Sequence, residues 1–238
     1  MRTRSLQRPA LHPLTRLAGL LLLAGLAACS AAAAEQPFPD PAVDAPQATP
    51  HGDRTAVLAG GCFWGMQLVF EHVRGVRHVW AGYSGGSAAT AHYFDVSDGN
   101  TGHAESVKIR FDPSVISYGQ LLKVFFAVAH NPTELDRQGP DSGTQYRSEI
   151  FYTSPVQRKI ATAYIAQLDK ARVFKAPIVT QVAPLKAFYP AEAYHQDFAR
   201  RHPDNPYIVI NDAPKLARLK RMFPSMYQPA MRVLDVSL

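Results

Sequence analysis

Thr55-Ala-Val-Leu-Ala-Gly-Gly-Cys-Phe-Trp-Gly-Met66 is a short apolar run, a pair of glycines, and then one cysteine followed by two large aromatics. A run this short, closed by Gly60-Gly61, predicts a buried strand over 55–59 and a sharp turn after it. Met66, Val69, Phe70 and Val73 then recur at helical spacing, and Gly75 stops the helix. The rest of the fold follows outward from this strand–turn–helix unit.

Val76–Tyr83 is rich in β-formers and ends at Gly85-Gly86. Glu105–Phe111 alternates, with Val107, Ile109 and Phe111 on one face and Asp112-Pro113 as its close. Ser117 is a good N-cap for a helix over Tyr118–His130, whose Leu121, Leu122, Phe125, Phe126 and Ala129 form an apolar stripe. Ser148–Thr153 reads as a strand, Pro155 opens a helix to about Ala171, and Ile178–Val182 reads as a further strand. Helices are expected over Ala191–Arg201 and Pro214–Met222. The order strand, helix, strand, strand, helix, strand predicts an α+β two-layer sandwich. Its core would be of the ferredoxin-like split βαβ kind, with residues 155–238 packed around it as C-terminal additions.

At 238 residues, 47% apolar and 18% charged, the chain suits one globular domain plus extras. The extras lie at the start. Arg2, Arg4, Arg8 and Arg16 precede the apolar run 17–26, and small residues follow, which is the pattern of a secretory signal. Leu26-Ala-Ala-Cys29 resembles a bacterial lipobox, in which Cys29 is acylated and becomes the mature N-terminus. Ala32-Ala-Ala34 before Glu35 is the competing exit for ordinary signal cleavage. The protein is thus expected to be exported to the periplasm, either soluble or anchored to the outer membrane through lipid on Cys29. Residues 30–53, with Pro37, Pro39, Pro41, Pro46 and Pro50, read as a disordered tether, leaving 54–238 as the folded domain.

The leader also accounts for the charge. The whole chain carries +6, but residues 1–29 hold four arginines and no acid, which leaves +2 for the remainder. A balance so close to neutral is not the clustered basic footprint of a nucleic-acid binder. No Cys-x₂₋₄-Cys pair or grouped histidines suggest a metal site.

Only Cys29 and Cys62 are present. Either export route removes Cys29 as a thiol, so Cys62 stands alone in a compartment that oxidises pairs, which points to a reactive thiol. At a helix N-terminus, unpaired N–H groups and the helix dipole favour the thiolate, so its pKa is expected below the ~8.5 of a free thiol.

Gly61-Cys-Phe-Trp-Gly65 resembles the signature of the peptide methionine sulfoxide reductase A family. Gly82-Tyr-Ser-Gly-Gly86, Thr101-Gly-His-Ala-Glu105, Gly139-Pro-Asp-Ser-Gly-Thr-Gln-Tyr-Arg-Ser148 and Tyr194-His-Gln196 are similar to that family's other blocks, in the same order. The resemblance covers roughly residues 55–223.

It implies that Cys62 attacks the sulfoxide sulfur, that Phe63 and Trp64 hold the S-methyl group, and that Glu105 protonates the sulfoxide oxygen. Tyr93 and Tyr146 would assist Glu105, and Asp141 would organise the site. The substrate implied is the S epimer of methionine sulfoxide, free or in oxidised proteins and peptides. Physical chemistry agrees with these roles: the oxygen must gain a proton as S–O breaks, and an apolar site keeps a carboxyl protonated near neutral pH.

Cys62 would be left as a sulfenic acid. Many family members carry a resolving cysteine near the C-terminus, and this sequence has none after Cys62. An external thiol, thioredoxin-like or of low molecular weight, is therefore expected to recycle it, with no bound cofactor and the enzyme acting as a monomer. Asn131 stands where the family commonly has Asp, and His103 has no assigned role. The rivals are a Cys/His hydrolase, which would form an acyl-enzyme, and a binding module, which would keep its ligand after Cys62→Ser.

Overall fold

The computed structural model describes residues 37–46 and 52–229. The basic leader, its apolar run and Cys29 lie outside the described residues. In chain order the described part runs β1 (Arg54–Gly60), α1 (Phe63–Glu71), β2 (Val76–Ser84), α2 (Tyr93–Ser97), β3 (Ala104–Phe111) and α3 (Tyr118–Val124). There follow β4 (Arg137–Gln138), β5 (Asp141–Ser142), β6 (Ser148–Tyr152), α4 (Pro155–Lys170), β7 (Gln181–Pro184), β8 (Phe188–Pro190), α5 (Phe198–Arg201) and α6 (Ala213–Met222).

Six strands form a mixed sheet in the order β7-β6-β1-β3-β2-β8, so the fold is α+β. Every pairing is antiparallel except β6 with β7. β3 lies between β1 and β2, with Leu58 opposite Val107 and Tyr83 opposite Glu105. Alternation then decides the faces. Leu58, Val79, Ala81, Tyr83, Val107, Ile109, Phe111 and Ile150 join Met66, Val69 and Phe70 of α1 in the main core. Leu121 and Leu122 of α3 and Ile160 and Tyr164 of α4 complete it. The opposite face buries a smaller cluster, Val57, Ala59, Ala104 and Phe151, under Ala183, Leu185 and Phe188.

The structure departs from the sequence-based expectations in four places. The helix begun by Ser117 is α-helical only to Val124 and then widens into a π-helical turn over Phe125–Ala129. The turn stops at His130, whose ring hydrogen-bonds Phe125 O at 3.0 Å and Ser148 Oγ at 2.7 Å. The strand expected at 178–182 begins later, at Gln181, because Ile178 N–H is spent on Asp169.

The helix expected over 191–201 is reduced to Phe198–Arg201. Asp197 has φ 54°, which a right-handed helix cannot hold. Gln196 meanwhile reaches back to β2, accepting from Ala81 N–H at 3.0 Å and donating to Ala81 O at 2.9 Å. A side chain thus takes the place of a neighbouring strand.

Finally, residues 37–46 of the expected tether are docked on α3 and α4. Tyr164 O–H donates to Pro39 O (2.6 Å), Gln167 Nε2 donates to Asp40 O (2.8 Å), and Phe38 packs edge-on against Phe174. Asp44 accepts from Gly119 N–H and from Ser117 Oγ at the start of α3. Side chains of the domain supply the polar partners that an isolated proline-rich segment lacks.

Ser117 therefore caps a helix and anchors this strap at once, with Gln120 closing a reciprocal capping box. Ser117→Ala is expected to lower stability by about 1–2 kcal/mol in urea unfolding. It should also speed proteolysis within 37–46. Unchanged cleavage there would show that the strap does not depend on this anchor.

Candidate functional site

The turn between β1 and α1 presents the cysteine. Gly61 has φ +83°, open to glycine and strained for other residues. Cys62 is then the N-cap of α1, 9% exposed, with φ −51° and ψ 124°. Phe63 N–H, one of the unpaired donors of that helix start, points at Glu105 Oε2, 3.0 Å away. Glu105 is the first core-facing residue of β3, 3% exposed, so the sheet delivers the carboxyl to the helix end.

Burial acts on both groups. It is the main cause that pushes the Cys62 thiol well above its usual range, followed by the negative charges of Glu105 and Asp212. The Trp64 N–H pulls the thiol down and Asp141 adds to the rise. Burial likewise raises Glu105 to about 8, against the lowering effect of the Phe63 N–H; Asp141 raises it further, and a hydrogen bond from the thiol lowers it. At neutral pH the resting pair is thus a thiol beside a carboxylic acid. The expected low thiol pKa is corrected here, since burial and three carboxyls outweigh one backbone N–H.

Aromatic rings wall the site. Trp64 stacks on Phe198 (3.8 Å between centroids) and meets Tyr207 edge-on. Its Nε1–H donates to His195 Nδ1 at 3.1 Å. The His195 ring also lies 5.1 Å from that of Phe63 and 4.3 Å from that of Tyr93. Burial lowers the His195 pKa, keeping the ring neutral. Tyr93 and Tyr146 have raised pKa values, chiefly from burial and then from Glu105, so both keep the O–H that a donor needs. Asp141 accepts a hydrogen bond from Tyr207 O–H; burial raises its pKa, and Tyr207 and Lys215 oppose the rise. Among the described residues no group of three or more His, Cys, Asp or Glu is arranged to hold a metal ion.

A buried thiol, a protonated carboxyl, phenol donors and an apolar wall suit reduction of a small polar S–O group carried on an apolar stem. The family model described as peptide methionine sulfoxide reductase matches residues 54–226. The chain belongs to the peptide methionine sulfoxide reductase family.

It is 59% identical over 176 residues to peptide methionine sulfoxide reductase MsrA 2 of Mesorhizobium japonicum, covering 74% of this chain and 90% of that protein. It is 47% identical over 177 residues to the MsrA of Thermus thermophilus, covering 74% and 99%. Among solved structures it resembles reduced Mxr1 of Saccharomyces cerevisiae, at 32% identity and a TM-score of 0.58, covering 66% of this chain and 90% of that one. Methionine sulfoxide reductase A of Corynebacterium diphtheriae gives 32% identity and a TM-score of 0.54, covering 70% and 82%. Like these reductases the chain is an enzyme, a peptide-methionine (S)-S-oxide reductase.

Cys62, Phe63, Trp64, Glu105, Tyr93, Tyr146 and Asp141 of this reductase all fall in one neighbourhood, contributed by α1, β3, α2, β5 and the turn before β6. Asn131 caps its own loop, accepting from Thr133, and its N–H and carbonyl bond the Gln138 side chain. His103 braces Gly86 and Ser87 beyond Tyr83.

Sequence reasoning missed His195, Phe198, Tyr207, Asp212 and Lys215. Tyr194-His-Gln196 was a signal for the first. Asp212 reads as an N-cap before Pro214, yet it makes no cap bond to α6 and turns toward Gly65 of α1.

The Glu105 pKa of about 8 sets a pH dependence. A carboxyl raised this far holds its proton at neutral pH and loses it as pH climbs through about 8, so the reductive step should fall on that alkaline limb. Glu105→Gln should slow the step by about a hundredfold or more and remove that limb. Stopped-flow or quench-flow single turnovers from pH 6 to 10 provide the check.

Proposed function

We infer that the enzyme reduces the S epimer of methionine sulfoxide, free and in polypeptides, through a sulfenic acid on Cys62. The observation that carries this is the Cys62–Glu105 pair: a buried thiol beside a buried carboxyl that is fixed by the Phe63 N–H and keeps its proton at neutral pH. Such a pair can supply the nucleophile and the acid together.

The substrate methyl group rests on Phe63 and Trp64, and the sulfoxide oxygen faces Glu105, Tyr93 and Tyr146. Glu105 gives its proton to that oxygen and recovers one from the thiol, so Cys62 becomes nucleophilic only when substrate is present. The substrate S–O bond breaks and an S–O bond forms on Cys62. Two electrons pass from the Cys62 sulfur to the substrate sulfur, leaving methionine and a sulfenic acid. Asp141, tied to Tyr207, fixes the rim of the pocket.

Recycling falls to an external thiol, thioredoxin-like or of low molecular weight, because no cysteine follows Cys62. The basic leader and Leu26-Ala-Ala-Cys29 support export, with repair of oxidised envelope proteins as the setting. Lipid on Cys29 would anchor the domain to the outer membrane, and cleavage before Glu35 would leave it soluble in the periplasm. The strands β6-β1-β3-β2 with α1 and α3 are taken as a ferredoxin-like split βαβ unit, and the catalytic unit as a monomer.

Separate S and R epimers of a methionine sulfoxide peptide, assayed with dithiothreitol, test the activity. Turnover of S, with R barely touched and Cys62→Ser inactive, is the expected result. Equal turnover of both epimers would count against it. A sulfenic-acid trap, applied after one equivalent of substrate without thiol, should mark Cys62 alone.

A further inference from the structure

Asp212 and Lys215 form an ion pair, Nζ to Oδ1 3.0 Å, for which the reductive step has no use. The Asp212 side chain is fully buried, and its Oδ2 has no hydrogen-bond partner. A buried carboxylate left half unpaired is costly, and Asp212 makes no cap bond to α6, so its place calls for another explanation. Lys215 keeps 24% of its side chain exposed, so the pair runs from a buried anion to a cation that reaches solvent.

Gly65 makes room for it. A Cβ there would overlap the Asp212 carboxylate and stand 2.8 Å from Lys215 Nζ. Gly65 lies three residues past Cys62, the N-cap of the same helix. The ammonium is therefore held against the first turn of the helix that Cys62 begins.

The charges around Cys62 make that cation useful. Glu105 faces it from β3, Asp141 from β5, and Asp212 from the start of α6. Neutral His130, whose pKa burial lowers to about 3, and the phenols Tyr93, Tyr146 and Tyr207 complete the surroundings. Glu105 holds its proton at neutral pH, so an anion approaching Cys62 meets the negative charge of Asp141 and Asp212, and Lys215 is a solvent-reaching cation that offsets it.

We propose that Lys215, held in place by Asp212, receives the thiolate of the external reductant as it attacks the Cys62 sulfenic acid. This role rests on the single-cysteine recycling described under Proposed function. In the step, the thiolate sulfur bonds to the Cys62 sulfur, the S–O bond of the sulfenic acid breaks, and the oxygen leaves as water after taking a proton. A second thiol then attacks the mixed disulfide, returning Cys62 as a thiol and releasing the oxidised reductant as a disulfide. The ammonium raises the thiolate fraction at the site and offsets repulsion in the transition state. The first gain is only partly cancelled by the weaker nucleophilicity of a more acidic thiol.

The two half-reactions can be timed separately in the full chain. First, one equivalent of a methionine S-sulfoxide peptide is added without thiol and methionine formation is followed. Dithiothreitol is then added, and loss of the sulfenic acid is followed from pH 6 to 10.

In Lys215→Met the first stage should stay within roughly twofold of wild type, while the second slows by about tenfold at pH 7 for loss of one nearby charge. The deficit should shrink once pH exceeds the pKa of dithiothreitol itself, and Lys215→Arg should recover most of the rate. A second stage unchanged in Lys215→Met, or both stages slowed together, overturns the role. Wild type that yields no methionine in the first stage overturns the Cys62 chemistry itself. An intramolecular disulfide before thiol is added overturns external recycling, and Lys215 loses its role in either case.

Discussion

The hydrogen bond from Phe63 N–H to Glu105 joins the two elements on which this enzyme depends, the start of α1 and the core-facing end of β3. It uses one carboxyl oxygen and leaves the other for a proton. A fully ionised carboxylate at 3% exposure, with one amide donor as its hydrogen-bond partner, would carry a large desolvation penalty. Protonation relieves it. The burial that lets the sheet pack against α1 is thus the burial that makes Glu105 an acid near neutral pH.

The same burial explains why Cys62 does not behave as a helix-terminal thiol in isolation. Dipole and N–H effects at an N-cap are modest and local, whereas loss of water and carboxyls on several sides act together. In the mechanism proposed above, activation comes with substrate, when proton transfer to the sulfoxide frees Glu105 to accept the thiol proton. A thiol kept protonated at rest is also less exposed to adventitious oxidation, which proceeds through thiolate.

The central strands were legible because their patterns are local. Val107, Ile109 and Phe111 alternate, and Ser117 with Gln120 spells a capping box. The β1–α1 turn and its cysteine were legible from the glycines and the helical spacing that follows. Other features depend on partners far away in sequence. Residues 191–197 have helix-like composition, but Gln196 is drawn to Ala81, 115 positions earlier, and Asp197 turns left-handed. Pro37–Pro46 looks like a tether until Tyr164, Gln167 and Ser117 supply its hydrogen bonds. Asp212 has the residue type and position of a cap, while its carboxylate lies against Gly65 of α1 and makes no cap bond.

The glycines around Cys62 show how a local motif can encode such distant contacts. A side chain on Gly60 would press on His130, on Gly61 on Gln138, and on Gly65 on the Asp212–Lys215 pair. Each of those groups comes from a different segment, and each closes on the backbone of the β1–α1 turn because nothing projects from it. The turn is therefore rigid through its neighbours despite its glycines. The β1–α1 turn that carries Cys62 is held between the π-helical turn ending at His130, the loop of Gln138 and the start of α6, with the rings of Phe63, Trp64 and His195 packed together beside it. Enlarging any one of these glycines would displace a different wall of the same site, which ties the short sequence Gly60-Gly-Cys-Phe-Trp-Gly65 to the whole of the domain around it.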